Sequence, residues 1–465
     1  MIVADSSKLD PLRRYALDHF MTKFGIQAGA EGVCLGYAGD FPTNHPAVKL
    51  SKNEMGDGLE GAIHYGREVF PLFEVPIKID AKGKTIATFS SGVDEYPVIV
   101  ESETGIEIGF DVLNEAGHLL SGFLERYWPA KTAEARYIAR TPTVDIYEKI
   151  LMDCIESVAR RRGIKVARKD FWPDGRKFAL GLSHDVDLYR KTVQYFSHFI
   201  RHLEDYEFKE AAKQVQKFFM GMGKNPYWNF EEMKKIEEQL KVKSSIYFLN
   251  QKASASQWNL QARLLQSGAC RFDVPAIRKT IKQFSDSGWD VGLHQSIESY
   301  KNEPLLRVEK GELDAITQKS ATGVRQHYLK VDIPDIWLAQ EAAGFDYDSS
   351  MGFTTTIGFR SATCFPFRVF DSRNDAPLRL IEIPLAIMER EVLTKDKDPW
   401  ELCMEILETV EKYGGVATIL WHQRFFNEDE FPGYAKLYEK IIGYCQERGA
   451  WVTSLSDVHE WWAGR

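Results

Sequence analysis

The stretch KFALGLSHD, residues 177–185, opens a rhythm that lasts to the end of the chain. An apolar run of strand length ends on polar residues, a helical pattern follows, and the cycle repeats. The later runs are KSSIYFLN, WDVGLH, TGVRQHY, FDYDSS, RLIEIPL, GVATILWH and AWVTSL. Helical segments such as VPAIRKTIKQFSDSG separate them. Another, DIPDIWLAQEAAG, carries proline near its start and glycine at its end, a pair of boundary signals. Strands that are apolar almost throughout and alternate with helices belong to a parallel sheet covered on both faces. Eight of them predict an α/β fold, a distorted (β/α) barrel of seven or eight strands over residues 171–465. One crossover is too long for that plan. Residues 189–236 read as an inserted helical pair, with GMGKNPYWNF as its turn.

Residues 1–170 lack this rhythm. PLFEVPIKID, TIATF, YPVIVE and IEIGFDVL read as strands between polar turns, and a long amphipathic helix starts near Val144. A smaller α+β domain is expected here, ending near the WPDG turn. At 465 residues and 44% hydrophobic composition the chain can build two cores. A net charge of −8, with no basic stripe, disfavours nucleic acid as a partner. No run approaches the 18 apolar residues of a membrane span, and the N-terminus lacks a basic-then-apolar signal. The six cysteines show no CxxC spacing, so reduced, buried thiols and a cytoplasmic location are expected.

The polar residues gather where the predicted strands end. His184, Asp185 and Asp187 finish the first, His294 the third, Arg325 and His327 the fourth, Asp348 the fifth and His422 the seventh. In a (β/α) barrel these ends share one face, so residues far apart in sequence would converge. Four of the eleven histidines end a predicted strand. Each has a plainer reading. LSHDVD could be a solvated corner or a helix cap, and His422 a core histidine bonded to backbone. Strand alternation sets Asp185 and Asp187 on one face and turns His184 to the other, behind the site. His294 reads as a metal ligand, and Arg325 as a clamp on a carboxylate, Asp185 being the candidate.

SHDVD, GLHQSIES, GVRQHYL, YDSSMGF with IGFR, and ILWHQ occur in an order that resembles the five motifs of polysaccharide deacetylases with NodB homology, carbohydrate esterase family four. The likeness is to a branch with a T/S-H-D-V-D first motif, an R-Q-H-Y third motif and an extra N-terminal domain, and it spans roughly residues 175–465. It implies a distorted (β/α) barrel and metal-dependent removal of an N- or O-acetyl group from a sugar or glycan precursor. Asp185 then matches the catalytic base and Asp187 the metal-binding aspartate. His294 matches the first ligand of an H-x-x-x-H motif, and Arg325 the arginine that orients the base. Tyr328 matches the residue whose backbone N–H helps bind the oxyanion, and His422 the general acid. Glu298 stands where the family has its second histidine. It lies four residues after His294 and could reach the same metal as a carboxylate. His327, where the family more often has proline, could fill the vacancy instead. It shares a strand face with Arg325 and is preferred, because a ligand on a strand loses less freedom than one on a loop.

This residue set suits the chemistry. Amide hydrolysis needs an activated water, a receiver for the oxyanion and a proton for the leaving amine. A divalent metal ion on Asp187 and His294 would acidify the water; zinc suits the mixed donors, as do cobalt, manganese and nickel. The expected partner is a carbohydrate substrate. Two rival readings stay open: a C–N hydrolase for a non-sugar amide, and a catalytically silent glycan-binding or scaffold barrel that has lost its metal.

Overall fold

The structure, a computed structural model, describes residues 2–3, 6–27, 32–37, 47–80, 82–127, 137–204, 206–220, 225–251, 268–392 and 398–465. Two sheets organise the chain. The first holds β1 (Ile2–Val3), β2 (Val33–Tyr37), β3 (Ala47–Leu50), β4 (Gly61–Tyr65), β5 (Glu68–Leu72), β6 (Lys84–Ser91), β7 (Asp94–Glu101) and β8 (Gly105–Ile108). Their order is β1-β2-β3-β8-β7-β6-β4-β5. TIATF and YPVIVE form the paired β6 and β7. PLFEVPIKID is different: its strand ends at Leu72. Beyond it Pro76 cannot donate to a ladder, and the Phe73 N–H donates instead to Glu115 at 2.9 Å. IEIGFDVL leaves its strand at Ile108, where Asp111 caps the helix Val112–Leu120 by accepting from the Asn114 N–H.

The second sheet contains β9 (Ala179–Val186), β10 (Ser245–Leu249), β11 (Asp290–Gln295), β12 (Gly323–Gln326), β13 (Tyr347–Asp348), β14 (Phe367–Asp371), β15 (Ala376–Glu382), β16 (Leu385–Met388), β17 (Val416–Leu420) and β18 (Trp451–Ser454). The path runs β14-β15-β13-β12-β11-β10-β9-β17-β16, and β18 pairs the first half of β9. Every ladder is parallel except β14 with β15. All eight strand stretches read from sequence contain strands here, but β12 stops at Gln326. His327, expected on the strand beside Arg325, sits in the turn His327–Leu329 instead. β14 and β16 are additional. These two end the path, and no ladder joins them among the described residues, so the architecture is mixed α/β with the closed barrel unshown.

Parallel pairing brings the C-terminal ends of β9 to β13 to one rim. The register sets Tyr247 opposite Asp185 and His294 opposite Arg325. The interior is filled by Tyr247 and Tyr347, whose hydroxyls meet at 3.1 Å. Gly292 and Gly323 make room for them, since a Cβ at either would collide with a tyrosine ring. In the long crossover, helices cover Gln194–Glu204, Phe208–Met220 and Phe230–Leu240; part of the expected turn, 221–224, lies outside the described residues.

Residues of both sheets belong to one apolar cluster, from Phe20 and Val48 to Leu182 and Trp421. A buried ionic knot crosses it. Lys23 Nζ lies 2.7 Å from Asp145 Oδ1 and 2.7 Å from Glu148 Oε2. Asp145 also accepts from Thr363 Oγ1 and the Cys364 N–H. All six cysteines are buried and unpaired. Among the described residues, no helix is long and apolar enough to cross a membrane.

Candidate active site

Strand alternation at the end of β9 gives three polar side chains one face: Ser183, Asp185 and, just past the strand, Asp187. His184 faces the opposite way. It is wholly buried, with Nδ1 2.5 Å from the Trp421 carbonyl and Nε2 2.8 Å from Glu237 Oε1, so it packs behind the rim.

Arg325 is 0% exposed, which would be costly for a guanidinium without partners. It has them on three sides. Nη1 donates to Asp185 Oδ1 and Ser183 Oγ, both at 2.9 Å. Nε donates to the Ser349 carbonyl at 2.8 Å and Nη2 to Ser349 Oγ at 2.9 Å. Its plane lies over the Tyr247 ring, 4.6 Å from the centroid. The other Asp185 oxygen is left facing His294, 3.8 Å from Nε2.

His294 Nδ1 lies 3.0 Å from the Arg325 carbonyl, which can only accept, so the proton sits on Nδ1. Nε2 is the nitrogen turned into the site, and 3.0 Å in front of it stands Asp187 Oδ1. His327 Nε2 approaches the same oxygen at 3.7 Å. Asp187, His294 and His327 thus bring three ligand atoms within 4.8 Å of one another. Asp187 Oδ1 and His327 Nδ1 are buried without hydrogen-bond partners. Burial opposes the charge on Asp187, but His422, against its other oxygen, holds the carboxyl well below the usual range. Burial, with the neighbouring His294 and His422, pushes His327 down to about 4, so it stays a neutral donor despite Asp187.

Glu298 does not join this group; its Oε1 accepts from Gln251 Nε2 at 2.8 Å. Asp348 also stays out, accepting from Ser350 at 2.6 Å and Gln340 at 3.2 Å beneath Arg325. Tyr328 lies beside the metal-type cluster, 65% exposed, its ring stacked on His327 with 4.0 Å between centroids.

His422 follows β17. Its Nε2 is 3.1 Å from Asp187 Oδ2 and its Nδ1 2.6 Å from Glu389 Oε1. Burial pulls this imidazole down, yet the Glu389 and Asp187 carboxylates outweigh it and raise it to about 9. At neutral pH it carries a proton. Arg424 Nη1 donates to the same Asp187 oxygen at 3.2 Å. Sequence reasoning missed Glu389 and Arg424. The apolar LAIM of β16 before Glu389, and the two-residue step from His422 to Arg424, were the available signals.

No family model and no curated protein matches the chain. Solved structures give distant likenesses. A protein from Mycobacterium smegmatis assigned as a polysaccharide deacetylase is 15% identical with a TM-score of 0.41, covering 63% of this chain and 92% of that one. PuuE allantoinase is 12% identical with a TM-score of 0.41, covering 64% and 94%. BA3943 from Bacillus anthracis, a CE4 family pseudoenzyme, is 10% identical with a TM-score of 0.32, covering 62% and 66%. Similarity of this depth decides neither activity nor substrate.

Proposed function

We propose that the chain is a metal-dependent hydrolase that removes an acetyl group from an N-acetylated sugar or glycan precursor. One observation carries the reading. His294 Nε2 meets the orphaned Asp187 Oδ1, with His327 beside them, between a clamped carboxylate and a protonated histidine. A buried carboxylate oxygen without a partner, faced by the Nε2 atoms of two imidazoles, fits a divalent cation. Asp187, His294 and His327 would hold it. A bound ion, zinc first among the candidates, supplies Lewis acidity toward the substrate carbonyl and the attacking water.

The remaining work belongs to the chain's own groups. Asp185 takes the proton of the water, with Arg325 fixing its carboxylate in direction. The Tyr328 backbone N–H receives the oxyanion. His422 gives its proton to the leaving nitrogen, and Glu389 keeps the ring oriented and charged. Water adds to the acetyl carbon, the C–N bond breaks, and acetate and a free amine leave. The proposed division places this hydrolase, a distorted (β/α) barrel, in residues 171–465, behind an α+β domain in 1–170. A cytoplasmic location is proposed from the six unpaired cysteines.

Arg424 favours a second reading. A cation already sits on Asp187, as it would in a silent glycan-binding protein. The two separate on zinc-loaded protein offered acetylated amino sugars, sugar oligomers and non-sugar amides, with acetate or amine release as the readout. Release from acetylated sugars that chelation abolishes and zinc restores is expected. Zinc-loaded protein that binds glycans and cleaves none of them would establish the silent reading.

A further inference from the structure

The turn that carries His327 and Tyr328 is held from the other end of the chain. Arg360 Nε and Nη2 donate to Glu125 Oε1 and Oε2 at 2.6 and 2.7 Å, a two-pronged charge-assisted pair. Glu125 belongs to the short helix Phe123–Tyr127, in the part of the chain that precedes the second sheet. The third nitrogen of the same guanidinium, Nη1, donates to the Leu329 carbonyl at 2.9 Å and the Gly352 carbonyl at 2.8 Å. Leu329 is two residues after His327.

Such holding is needed. Tyr328 has φ 62° and Leu329 φ 49°, consecutive left-handed positions without a glycine. Residues with a Cβ keep that conformation only where the surroundings impose it. Leu329 packs its side chain against Leu385, Met388 and Leu420, which leaves its carbonyl to be held by Arg360. A cavity of about 340 Å³ borders Glu125 and, past the turn, Val331, Asp332 and Ile333. The pair is largely shielded, its side chains 14% and 20% exposed, so solvent screens it little.

We propose that Glu125 is a positioning residue of the metal site: it fixes Arg360, and Arg360 fixes the His327–Leu329 turn through a backbone carbonyl. The proposal rests on the reading of Asp187, His294 and His327 as that site. It gives the N-terminal part a task in the chemistry without contact with substrate.

The test compares full-length wild type, Glu125→Gln, Arg360→Glu, and the exchanged pair E125R with R360E. Zinc affinity is read by calorimetry, and backbone order by hydrogen exchange of the peptide covering 323–333. Glu125→Gln is expected to weaken zinc binding about tenfold, the lower end for loss of an outer partner, and to speed exchange in this peptide. The exchanged pair rebuilds the ion pair but sets a glutamate, which cannot donate, opposite the Leu329 carbonyl. It is expected to recover part of the melting temperature lost in Arg360→Glu alone, the part the ion pair supplies, while zinc affinity and exchange stay impaired. Wild-type affinity and exchange in Glu125→Gln, or their full recovery in the exchanged pair, would overturn the proposal. Wild type that binds zinc without hydrolysis defeats the proposed function and leaves this comparison valid. Wild type that binds no zinc would overturn the proposal together with the metal site it rests on, whatever the exchange comparison shows of the turn.

Discussion

Replacing Arg325 with methionine removes one cation and four hydrogen bonds from a place with no access to water. Asp185, 2% exposed, is left as a buried carboxylate without its partner. Breaking a buried pair on one side costs about 3–5 kcal/mol. The Ser349 carbonyl also loses its donor, at about 1–3 kcal/mol, partly offset by the apolar packing of methionine. The expected loss is about 4 kcal/mol, read as a shifted midpoint in guanidinium chloride at unchanged slope. Asp185→Asn removes the charge that makes the loss so large. The double variant Asp185→Asn, Arg325→Met should therefore lose about 2 kcal/mol less than the two single losses added together. A cost below about 1 kcal/mol for Arg325→Met, or additivity within about 0.5 kcal/mol, would refute the clamp.

Three further expectations follow from the same geometry. His327→Ala should weaken zinc binding by more than the roughly 10–100-fold typical of an outer partner, whereas Glu298→Ala, which frees Gln251, should stay within that range or below it; calorimetry at one pH ranks them. Glu389→Gln takes away the carboxylate that does most to support His422, so the ring's pKa should drop from about 9, seen by NMR titration, and turnover should fall about 10²-fold or more. His19 is buried and, through burial and the nearby Lys23, held down to about 3 against an ordinary 6.5. Its folded value lies below the unfolded one, so the stability it contributes is present above pH 6.5 and drains away as pH falls toward 3. His19→Asn should flatten that part of the stability-pH curve.

Much of the second sheet was legible because parallel strands buried on both faces leave apolar runs that only turns and helices interrupt. Two strands were not. Leu385–Met388 follows β15 after two residues, so the text RLIEIPLAIM offers no break for periodicity to find. Phe367–Asp371 is an antiparallel end strand whose FRVFD pattern is too short to separate from loop. The site was legible to the extent that strand ends mark a shared rim, which is why Asp185, Asp187, His294, Arg325, His327 and His422 could be named together. Glu389 escaped because it follows a strand that had not been recognised. Asp348 ends a strand like the others, yet its carboxyl turns to Gln340 and Ser350, and no alternation rule says which face of a two-residue strand looks into the rim. The division of labour between His327 and Glu298 depends on where a loop comes to rest, and four-residue spacing alone could not supply that.

The central claim is that Asp185 works as a base beside a metal held by other residues. Acetate release by wild type and Asp185→Asn, each brought to the same zinc content, tests it most directly. Hydrolysis of an acetylated amino sugar by zinc-loaded wild type is predicted, with none from the metal-free protein and none from Asp185→Asn at equal zinc. Turnover by zinc-loaded Asp185→Asn, or undiminished turnover by metal-free wild type, would contradict it.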